Sequence, residues 1–436
     1  MQDNQRRALT RRTLLSSASA LAAGVTLAAC GSGGGSSSAG GDDLVFWDMV
    51  WGTGADYTDL AQNLAGSYEP TGDALGVAYQ SIPWANWYQT FSSAVASGTG
   101  PAVSTGAAFQ PFAFMEDAAV VPADGAISIL EEQDKADFLP GLLDAMKTDD
   151  GYAGIPWGLD LRVLWYRESM LEEVGADVPT TWQEYVDAGK KLKSAGKIGF
   201  GMAASSSTTD AQHSIFALLI NNGGGLFTEE GEPSADSDEN VEALEFVAEL
   251  VGQGIIDPRS ASYTSDNLES DWSDGRIAMG FGQTGFDKVM KDPVSSDLRV
   301  MSPLTSTNGN MGTIYYINAI MLYENTPDQA SSDQLAAWWA TQTDEFWLQD
   351  VMIDLPVTRR LADDEKIASN PNTVIAIEEW QPVGKTLGAK APAAFGALNS
   401  VDGGEAAAAF VQQVVQGDQS PRQMLETLQG ELEKLF

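Results

Sequence analysis

Short apolar runs alternate with longer amphipathic segments along this chain of 436 residues. The short runs are rich in β-branched and aromatic residues, as strands are, whereas the longer segments repeat their apolar positions with a helical period. The clearest strands are expected at residues 44–47, 163–166, 277–281 and 314–322. This alternation favours α/β layers built around mostly parallel sheets.

Three helices carry start or stop signals in the sequence. Thr181 and Glu184 have the spacing of a capping box ahead of an apolar face, which predicts a helix beginning there. A second helix is expected over residues 238–251 and should end at Gly252. Ser420 followed by Pro421 predicts the start of the last helix, because serine caps the first amides and proline fits the first helical position. The expected inward positions are Tyr185, Val186, Gly189 and Leu192; Val241, Leu244, Val247 and Val251; and Met424, Leu425, Leu428, Leu432 and Leu435.

The N-terminal segment has the pattern of an export signal. Arg11 and Arg12 precede an apolar run, too short to span a membrane, that ends in small residues before Cys30. We therefore expect a twin-arginine signal peptide over residues 1–29 and acylation of Cys30, the only cysteine of the chain. Residues 30–43 then form a lipidated Cys and Gly/Ser tether. The alternative is an ordinary secretory signal with an incidental cysteine.

The charge balance limits the partners. With 61 acidic and 24 basic residues, the chain has a formal net charge of −37, which excludes a nucleic-acid partner and leaves the acyl chain as the only expected membrane attachment. Solubility or adaptation to salt would also explain such acidity. The length beyond the tether predicts two domains, and no later apolar run approaches the length of a membrane span.

A series of motifs spans most of the chain. Residues 150–160 read Asp-Gly-Tyr-Ala-Gly-Ile-Pro-Trp-Gly-Leu-Asp, followed by Val-Leu-Trp-Tyr-Arg at 163–167 and Pro-Thr-Thr-Trp-Gln-Glu at 179–184. Further motifs are Ser-Ile-Pro-Trp at 81–84, Gly-Gly-Gly-Leu-Phe at 223–227, Gly-Arg-Ile-Ala-Met-Gly at 275–280 and Asp-Leu-Pro-Val at 354–357. In this order and spacing, residues 44–436 resemble the extracellular solute-binding lipoproteins of ABC importers, in the sugar-binding group similar to maltose-binding protein.

The resemblance implies a two-lobed, periplasmic-binding-protein-like α/β fold in which each lobe is a mostly parallel sheet flanked by helices. It implies an N-terminal lobe of residues 44–157 and 307–348, and a C-terminal lobe of residues 158–306 and 349–436. Three crossings between the lobes are expected near residues 156–159, 306–311 and 347–351. A sugar would bind in the cleft between the lobes, and hinge closure would present it to the permease subunits. The resemblance further implies an extracellular monomer with no catalytic activity and no cofactor.

The candidate site is chosen from the chemistry of sugars. Their apolar ring faces and hydroxyl edges suit aromatic platforms combined with planar polar groups, and many of the 12 tryptophans stand at predicted strand ends or loops. The candidate ligand-binding residues are Trp47, Asp48, Trp51, Trp84, Trp87, Trp157, Asp160, Arg162, Asn222, Phe281, Gln283, Tyr315, Glu379 and Trp380. Trp157 and Asp160 are expected to form the ligand wall at the first crossing. Core burial is the alternative for each tryptophan, and a turn or helix cap is the alternative for Asp48 and Asp160.

Two other classes of function stay open. Glu378 and Glu379 with Asp160 could serve glycosidase chemistry, but no local spacing establishes the two opposed carboxyls that it requires. A nucleophile elbow is absent from the sequence, and the only histidine, His213, is expected at the surface or at a helix start. One histidine and one cysteine give no support for a zinc site. The pair Tyr315-Tyr316 resembles the tyrosines of ferric-iron binders, and peptides, polyamines and organic acids are further alternatives. The scarcity of Arg and Lys disfavours an anion, so a neutral sugar fits best.

Overall fold

The computed structural model describes residues 43–52 and 54–435. The predicted signal peptide, Cys30 and all of the tether except residue 43 lie outside the described residues. Within the described part of the chain, no helix combines the length and the apolar character that crossing a bilayer requires.

Nine of the strands form one sheet. Its central order is β2-β1-β3-β10-β7-β8; β4 and β11 pair with β10, and β9 pairs with β7. Strands β5 and β6 form a separate pair. The strands are β1 (Leu44–Met49), β2 (Val77–Ile82), β3 (Val103–Gly106), β4 (Val120–Val121), β5 (Lys147–Thr148), β6 (Gly151–Tyr152), β7 (Ile155–Arg167), β8 (Met279–Gln283), β9 (Leu298–Val300), β10 (Thr313–Tyr323) and β11 (Gly384–Lys385).

The two-lobed α/β fold is confirmed, but the sheet is mixed rather than mostly parallel. Strand β1 pairs in parallel with β2 and β3, whereas β10 is antiparallel to β3 and β7, and β7 is antiparallel to β8 and β9. The reason lies in the path of the chain, which leaves the first lobe along β7 and returns to it along β10. Two neighbouring strands that run out and back are necessarily antiparallel.

Helices cover the sheet and fill both lobes. They are α1 (Gly54–Ala65), α2 (Trp87–Ser97), α3 (Gln110–Glu116), α4 (Asp124–Glu132), α5 (Glu168–Glu173), α6 (Trp182–Ser194), α7 (Asp210–Asn221), α8 (Asp238–Gly252), α9 (Ser265–Ser273), α10 (Phe286–Val289), α11 (Val294–Asp297), α12 (Gln329–Gln342), α13 (Asp344–Leu348), α14 (Arg359–Ala362), α15 (Glu365–Ala368), α16 (Pro371–Ile375), α17 (Leu398–Val401), α18 (Glu405–Gln416) and α19 (Pro421–Leu432). Short 3₁₀ turns occur at Asp144–Met146, Pro258–Ser262 and Gln381–Val383, and a π-helical turn at Ala376–Trp380.

The helix signals are confirmed. Thr181 caps α6 by accepting a hydrogen bond from the backbone N–H of Glu184, and Ser420 and Gln423 form a complete capping box on α19. Helix α8 ends at Gly252, and Gln253 is its C-cap. Most expected inward positions are buried, but Leu435 follows the end of α19 and is 44% exposed.

Two hydrophobic cores correspond to the two lobes. The first core draws mainly on residues 44–130 and 320–367, and the second on residues 159–304 and 376–432. Strand β7 contributes Trp157 to the first core and Leu159 to the second, while β10 contributes Ala319 to the second and Ile320 to the first. Some buried residues of the predicted N-terminal lobe, Leu142 among them, belong to the second core. The lobe boundaries themselves stay a prediction.

A third segment lies beside the two long strands. The backbone of Leu355 exchanges two hydrogen bonds of 3.0 Å with Leu159 of β7. Gly52, just after β1, pairs with Met352, and a side chain at Gly52 would collide with the carbonyl oxygen of Val351. Residues 351–355 are therefore held against both β1 and β7.

The cap of α6 yields the first testable prediction. Thr181→Ala removes the acceptor for the Glu184 N–H, so the free energy of unfolding should fall by about 1 kcal/mol in chemical denaturation. Gln183→Ala changes an exposed residue of the same turn and is the matched control, with an expected change below about 0.5 kcal/mol. Equal losses in the two variants would contradict the capping role.

Candidate functional site

A cleft of about 670 Å³ lies at the carboxyl ends of the parallel strands. Its lining includes Trp51 after β1, Trp84 after β2 and Phe109 after β3. The opposite lining comes from β7, β8, β10 and α7, and from residues 353–354 and 399–402. Open α/β sheets bind ligands at the carboxyl ends of their strands. The cleft therefore draws on both lobes and is the candidate ligand site.

Four aromatic residues form one side of the cleft, here called the aromatic wall: Trp51, Trp84, Trp87 and Tyr88. The rings of Trp51 and Trp84 are perpendicular with centroids 5.1 Å apart, and Trp84 lies 5.8 Å from Trp87. Trp84 is 44% exposed, yet its Nε1–H donates a 2.6 Å hydrogen bond to the carbonyl oxygen of Val50. Because that polar edge is occupied, the apolar ring surface is what Trp84 offers to a ligand.

The facing polar wall is set by strand register. Side chains two residues apart on a strand share a face, so Asp160 and Arg162 of β7 point the same way. Tyr316 of β10 stands opposite Asp160, and Gln283 of β8 stands opposite Arg162. Four residues from three different strands thus meet at one position in the cleft.

Arg162 is held in this wall by two neighbours. Its Nη2 donates a 2.8 Å hydrogen bond to Oδ2 of Asp160, and its guanidinium lies 5.8 Å from the centre of the Tyr316 ring. Burial disfavours the charged guanidinium, but the carboxylate of Asp160 and other nearby anionic groups outweigh burial and raise the pKa of Arg162. Arg162 is therefore a charged donor fixed in the cleft.

Asp402 organises the far end of the polar wall. Its Oδ1 accepts a 2.9 Å hydrogen bond from Gln212 Nε2, and His213 Nε2 and the Tyr316 hydroxyl lie 3.2 Å and 3.4 Å from the same oxygen. The His213 ring packs 4.9 Å from the Tyr316 ring. These contacts fix the orientation of both rings where they line the cleft.

Asp354 is the third acid of the lining. Asn318 Nδ2 donates a 2.6 Å hydrogen bond to its Oδ2, and Trp347 Nε1 donates to its backbone carbonyl. Burial and the nearby charge of Asp160 raise the pKa of Asp354 well above the ordinary range, against the opposing effects of Asn318 and Arg162. The lining contains one guanidinium, that of Arg162, and three acids: Asp160, Asp354 and Asp402. It is therefore rich in hydrogen-bond acceptors. No group of three or more His, Cys, Asp or Glu side chains within residues 43–52 and 54–435 is arranged to hold a metal ion.

A buried acid lies behind the aromatic wall. Asp48 is fully buried and accepts hydrogen bonds from the hydroxyls of Thr105 at 2.7 Å, Tyr79 at 3.0 Å and Tyr57 at 3.1 Å. Burial raises the pKa of Asp48 to about 7, although hydrogen bonds from Thr105, Tyr79, Tyr57 and Trp51 act in the opposite direction.

Six of the fourteen sequence-predicted site residues line the cleft: Trp51, Trp84, Trp87, Asp160, Arg162 and Gln283. Trp51 and Trp84 lie in loops after strands, and Trp87 begins α2. Asp160 and Arg162 lie on the crossing strand β7, and Gln283 ends β8.

Four predicted aromatic residues lie in the cores instead: Trp47, Trp157, Phe281 and Trp380. Trp157 is 2% exposed, because it points to the opposite face from Asp160 and donates to Thr343 Oγ1 at 3.0 Å. Trp380 is 1% exposed and donates to the carbonyl oxygen of Met301. The expectation that Trp157 faces the cleft is therefore wrong; it supports Trp51 from behind, with ring centroids 5.7 Å apart.

Four further predicted residues also lie away from the cleft. Asp48 is enclosed by hydroxyls, as described above. Asn222 ends α7, roughly 13 Å along the helix from His213 at 1.5 Å per residue, and donates to Glu239 and Glu242. Tyr315 is adjacent in sequence to Tyr316 but faces the other side of the sheet, where it lines a separate groove. Glu379 is exposed on the surface.

Several lining residues were missed: Tyr88, Phe109, Thr209, His213, Tyr316, Asn318, Ile353, Asp354, Asn399 and Asp402. His213 was expected at the surface or at a helix start; it lies at the start of α7, but it is only 8% exposed and packs between Asp402 and Tyr316. Because side chains alternate along β10, Tyr316 and Asn318 lie on the same face of the strand. The sequence does not show that this face lines the cleft. Asp402 carries no local signal, since only the tertiary fold brings the segment after α17 to the cleft.

A two-lobed α/β molecule with an aromatic and polar cleft has the architecture of an extracellular binding protein. The chain belongs to the family of bacterial extracellular solute-binding proteins, whose family model matches residues 54–345.

Individual relatives agree with this assignment. A sugar transporter protein from Arthrobacter chlorophenolicus A6, solved with bound laminaribiose, is 38% identical, with a TM-score of 0.81 and coverage of 90% of this chain and 99% of that one. Maltose-bound MalE3 of T. maritima is 17% identical with a TM-score of 0.72, covering 90% of this chain and 100% of that one, and shows the same fold. An arabinooligosaccharide-binding protein of Halalkalibacterium halodurans is 29% identical over 26% of this chain. The chain spans between 25% and 54% of the length of three curated relatives that it matches.

The buried acid behind the aromatic wall yields a pH prediction. The pKa of Asp48 is about 7 in the folded protein against 3.8 for an ordinary Asp, so the folded state binds the proton more tightly. Stability from this group is present below pH 4 and is lost as pH rises through 7, by about 2 to 3 kcal/mol between pH 5 and pH 8.

Denaturation of the wild type and of Asp48→Asn at pH 5 and pH 8 measures this effect. The variant lacks the titrating carboxyl, so its free energy of unfolding relative to that of wild type should rise by about 2 to 3 kcal/mol between pH 5 and pH 8. Wild type and variant share all other titrating groups, so the contributions of those groups to the pH dependence cancel in the comparison. The same pH dependence in both proteins would contradict the prediction.

Proposed function

We propose that this protein captures a short, neutral saccharide in the cleft and delivers it to the membrane subunits of an ABC importer. The observation that carries this proposal is the pairing of the exposed Trp84 ring with an acceptor-rich polar wall. Oδ1 of Asp160 and Nε of Arg162 are buried and have no hydrogen-bond partner among the described residues. In this proposal a sugar ring packs on Trp84 while its hydroxyls bond to Asp160, Arg162 and Gln283.

Laminaribiose is the first candidate ligand. It is the sugar bound to the Arthrobacter protein that is 38% identical to this chain. The cleft volume of about 670 Å³ lies within the range of about 300 to 1,000 Å³ that is typical of small-molecule sites. Maltose and arabinooligosaccharides, named for the more distant relatives, complete the panel to be tested.

The charges of the cleft favour a neutral ligand over an anion. The guanidinium of Arg162 in the lining is already paired with Asp160, and His213 lies 3.2 Å from Asp402. Asp354 forms no ion pair with any residue that the structure describes. An anionic sugar would meet these carboxylates at close range in a poorly solvated site, which is electrostatically unfavourable. A hydroxyl group donates to the same carboxylates without that cost.

The proposed action is binding without chemical change. Lining residues come from segments of both lobes, so a bound sugar would bridge them and favour a closed arrangement. The closed form is proposed as the signal that the permease reads. In this proposal the protein acts as a monomer and needs no cofactor.

A substitution in the aromatic wall tests the proposal. Trp84→Ala should weaken laminaribiose binding about tenfold in isothermal titration calorimetry, since ring stacking contributes about 0.5 to 1.5 kcal/mol beyond the area that it buries. Trp338→Ala is the matched control, because Trp338 is a partly buried tryptophan that packs on Tyr68 away from the cleft. Its affinity should stay within twofold of wild type.

The outcomes of this experiment are distinct. Tight binding of another sugar of the panel, with the same loss in Trp84→Ala, would change the ligand but keep the site. A larger amount of hydrolysed sugar than in a control without protein would show that the protein is an enzyme. Equal affinity in wild type and Trp84→Ala would overturn the site.

The proposed location is the extracellular face of the cytoplasmic membrane, through a lipid on Cys30. The sequence pattern before Cys30 supports this proposal, as does membership of an extracellular family. Cys30→Ser should move the protein from the detergent phase to the aqueous phase in phase partitioning and leave its melting temperature unchanged, because the substitution removes only the acylated thiol. Equal partitioning of the two proteins would exclude the anchor.

A further inference from the structure

Thr105 lies directly behind the aromatic wall and makes three hydrogen bonds with its hydroxyl. It donates to Asp48 Oδ1 at 2.7 Å, and it accepts from the backbone N–H of Met49 and from Nε1–H of Trp51, both at 2.9 Å. Thr105 is fully buried and is not part of the cleft lining. Any influence on a ligand must therefore pass through another residue.

The direction of these bonds follows from the partners. A hydroxyl has one hydrogen and two lone pairs. The N–H groups of Met49 and Trp51 can only donate, so they occupy both lone pairs of the hydroxyl oxygen. The hydroxyl hydrogen is then left for Oδ1 of Asp48. Asp48 thus orients the Thr105 hydroxyl, and the hydroxyl in turn fixes the indole edge of Trp51.

Trp51 depends on this contact more than its neighbours do. Trp84 is tied to a backbone oxygen of Val50, which no side-chain substitution removes. The Nε1–H of Trp51 is bonded to the side chain of Thr105, and its ring packs in T-shaped contacts against Trp84 and Trp157. A buried indole N–H without an acceptor is unfavourable, so loss of the Thr105 hydroxyl should make the ring turn or shift.

We propose that Thr105 is a positioning residue for ligand binding, which holds the indole of Trp51 in the cleft wall through a hydroxyl oriented by Asp48. The expected effect on affinity rests on the proposed function, but the positioning of the Trp51 indole by Thr105 can be tested without any ligand. It assigns a role in the cleft to two buried residues that a ligand never contacts.

The test compares three substitutions in the full chain. Thr105→Val keeps the shape but removes the hydroxyl, and it should weaken laminaribiose binding about three- to tenfold, the value of one hydrogen bond. Thr105→Ser keeps the hydroxyl and should stay within twofold of wild type. Asn221→Leu removes the same kind of bond, from Trp182 Nε1 to a side-chain oxygen, but outside the cleft lining. It should lower the melting temperature and leave affinity within twofold.

A spectroscopic measurement on the ligand-free protein isolates the positioning step. The indole N–H resonance of Trp51 is assigned from its disappearance in Trp51→Phe. In Thr105→Val this resonance should shift and exchange faster with water, whereas it should be retained in Thr105→Ser. The indole resonance of Trp84 should stay in place in both variants.

The outcomes separate this inference from the proposed function. If wild type binds no laminaribiose, the choice of ligand fails, while the Trp51 resonance still decides whether Thr105 positions the ring. An unchanged Trp51 resonance in Thr105→Val overturns the inference. Should Thr105→Val fail to fold, Trp51→Phe supplies the second test, because it must lose at least about threefold in affinity for a binding sugar. Wild-type affinity in Trp51→Phe also overturns the inference.

Discussion

The antiparallel pairing of β7 with β10 is the constraint on which the rest of this structure depends. Each strand contributes to both hydrophobic cores, so their hydrogen-bonded ladder joins the two lobes. The same register sets Tyr316 opposite Asp160 and, through β8, Gln283 opposite Arg162. A slip of one residue would turn these side chains to the opposite face of the sheet. The pairing that connects the lobes therefore also assembles the polar wall of the cleft.

The aromatic wall is built on a different principle. Trp51 and Trp84 lie in loops that follow the parallel strands, whereas Trp87 and Tyr88 begin helix α2. Loops alone do not hold large side chains in fixed orientations. The rigidity of the wall comes from hydrogen bonds at the polar edges of the indoles, to Val50 for Trp84 and to Thr105 for Trp51. Edge-to-face packing of Trp51 on Trp157 adds support from the first core. A rigid platform loses little conformational entropy on binding, which favours affinity.

Sequence reasoning reached the fold and six of the residues that line the cleft, and its errors have physical causes. Motif order predicted the two lobes, and capping signals placed α6 and α19, because these depend on local chemistry. Tyr315 was chosen over Tyr316 because alternation along a strand shows which residues share a face but not which face lines the cleft. Trp157 was placed in the cleft together with Asp160, although residues three apart on a strand point to opposite faces. Asp402 and His213 meet only in the folded chain, and no pattern in the sequence links them.

The acidity of the cleft bears on how binding is coupled to closure. Three carboxylates lie in the lining with one guanidinium, and the pKa of Asp354 is raised by burial and by its neighbour Asp160. Drawing the lobes together without a ligand would bring these acids into a drier space, which is unfavourable for their charged forms. The proposed saccharide would place hydroxyl donors against the acids and so remove part of that penalty. Closure would then be favourable chiefly when a neutral donor-rich ligand fills the cleft, and an empty cleft would stay open.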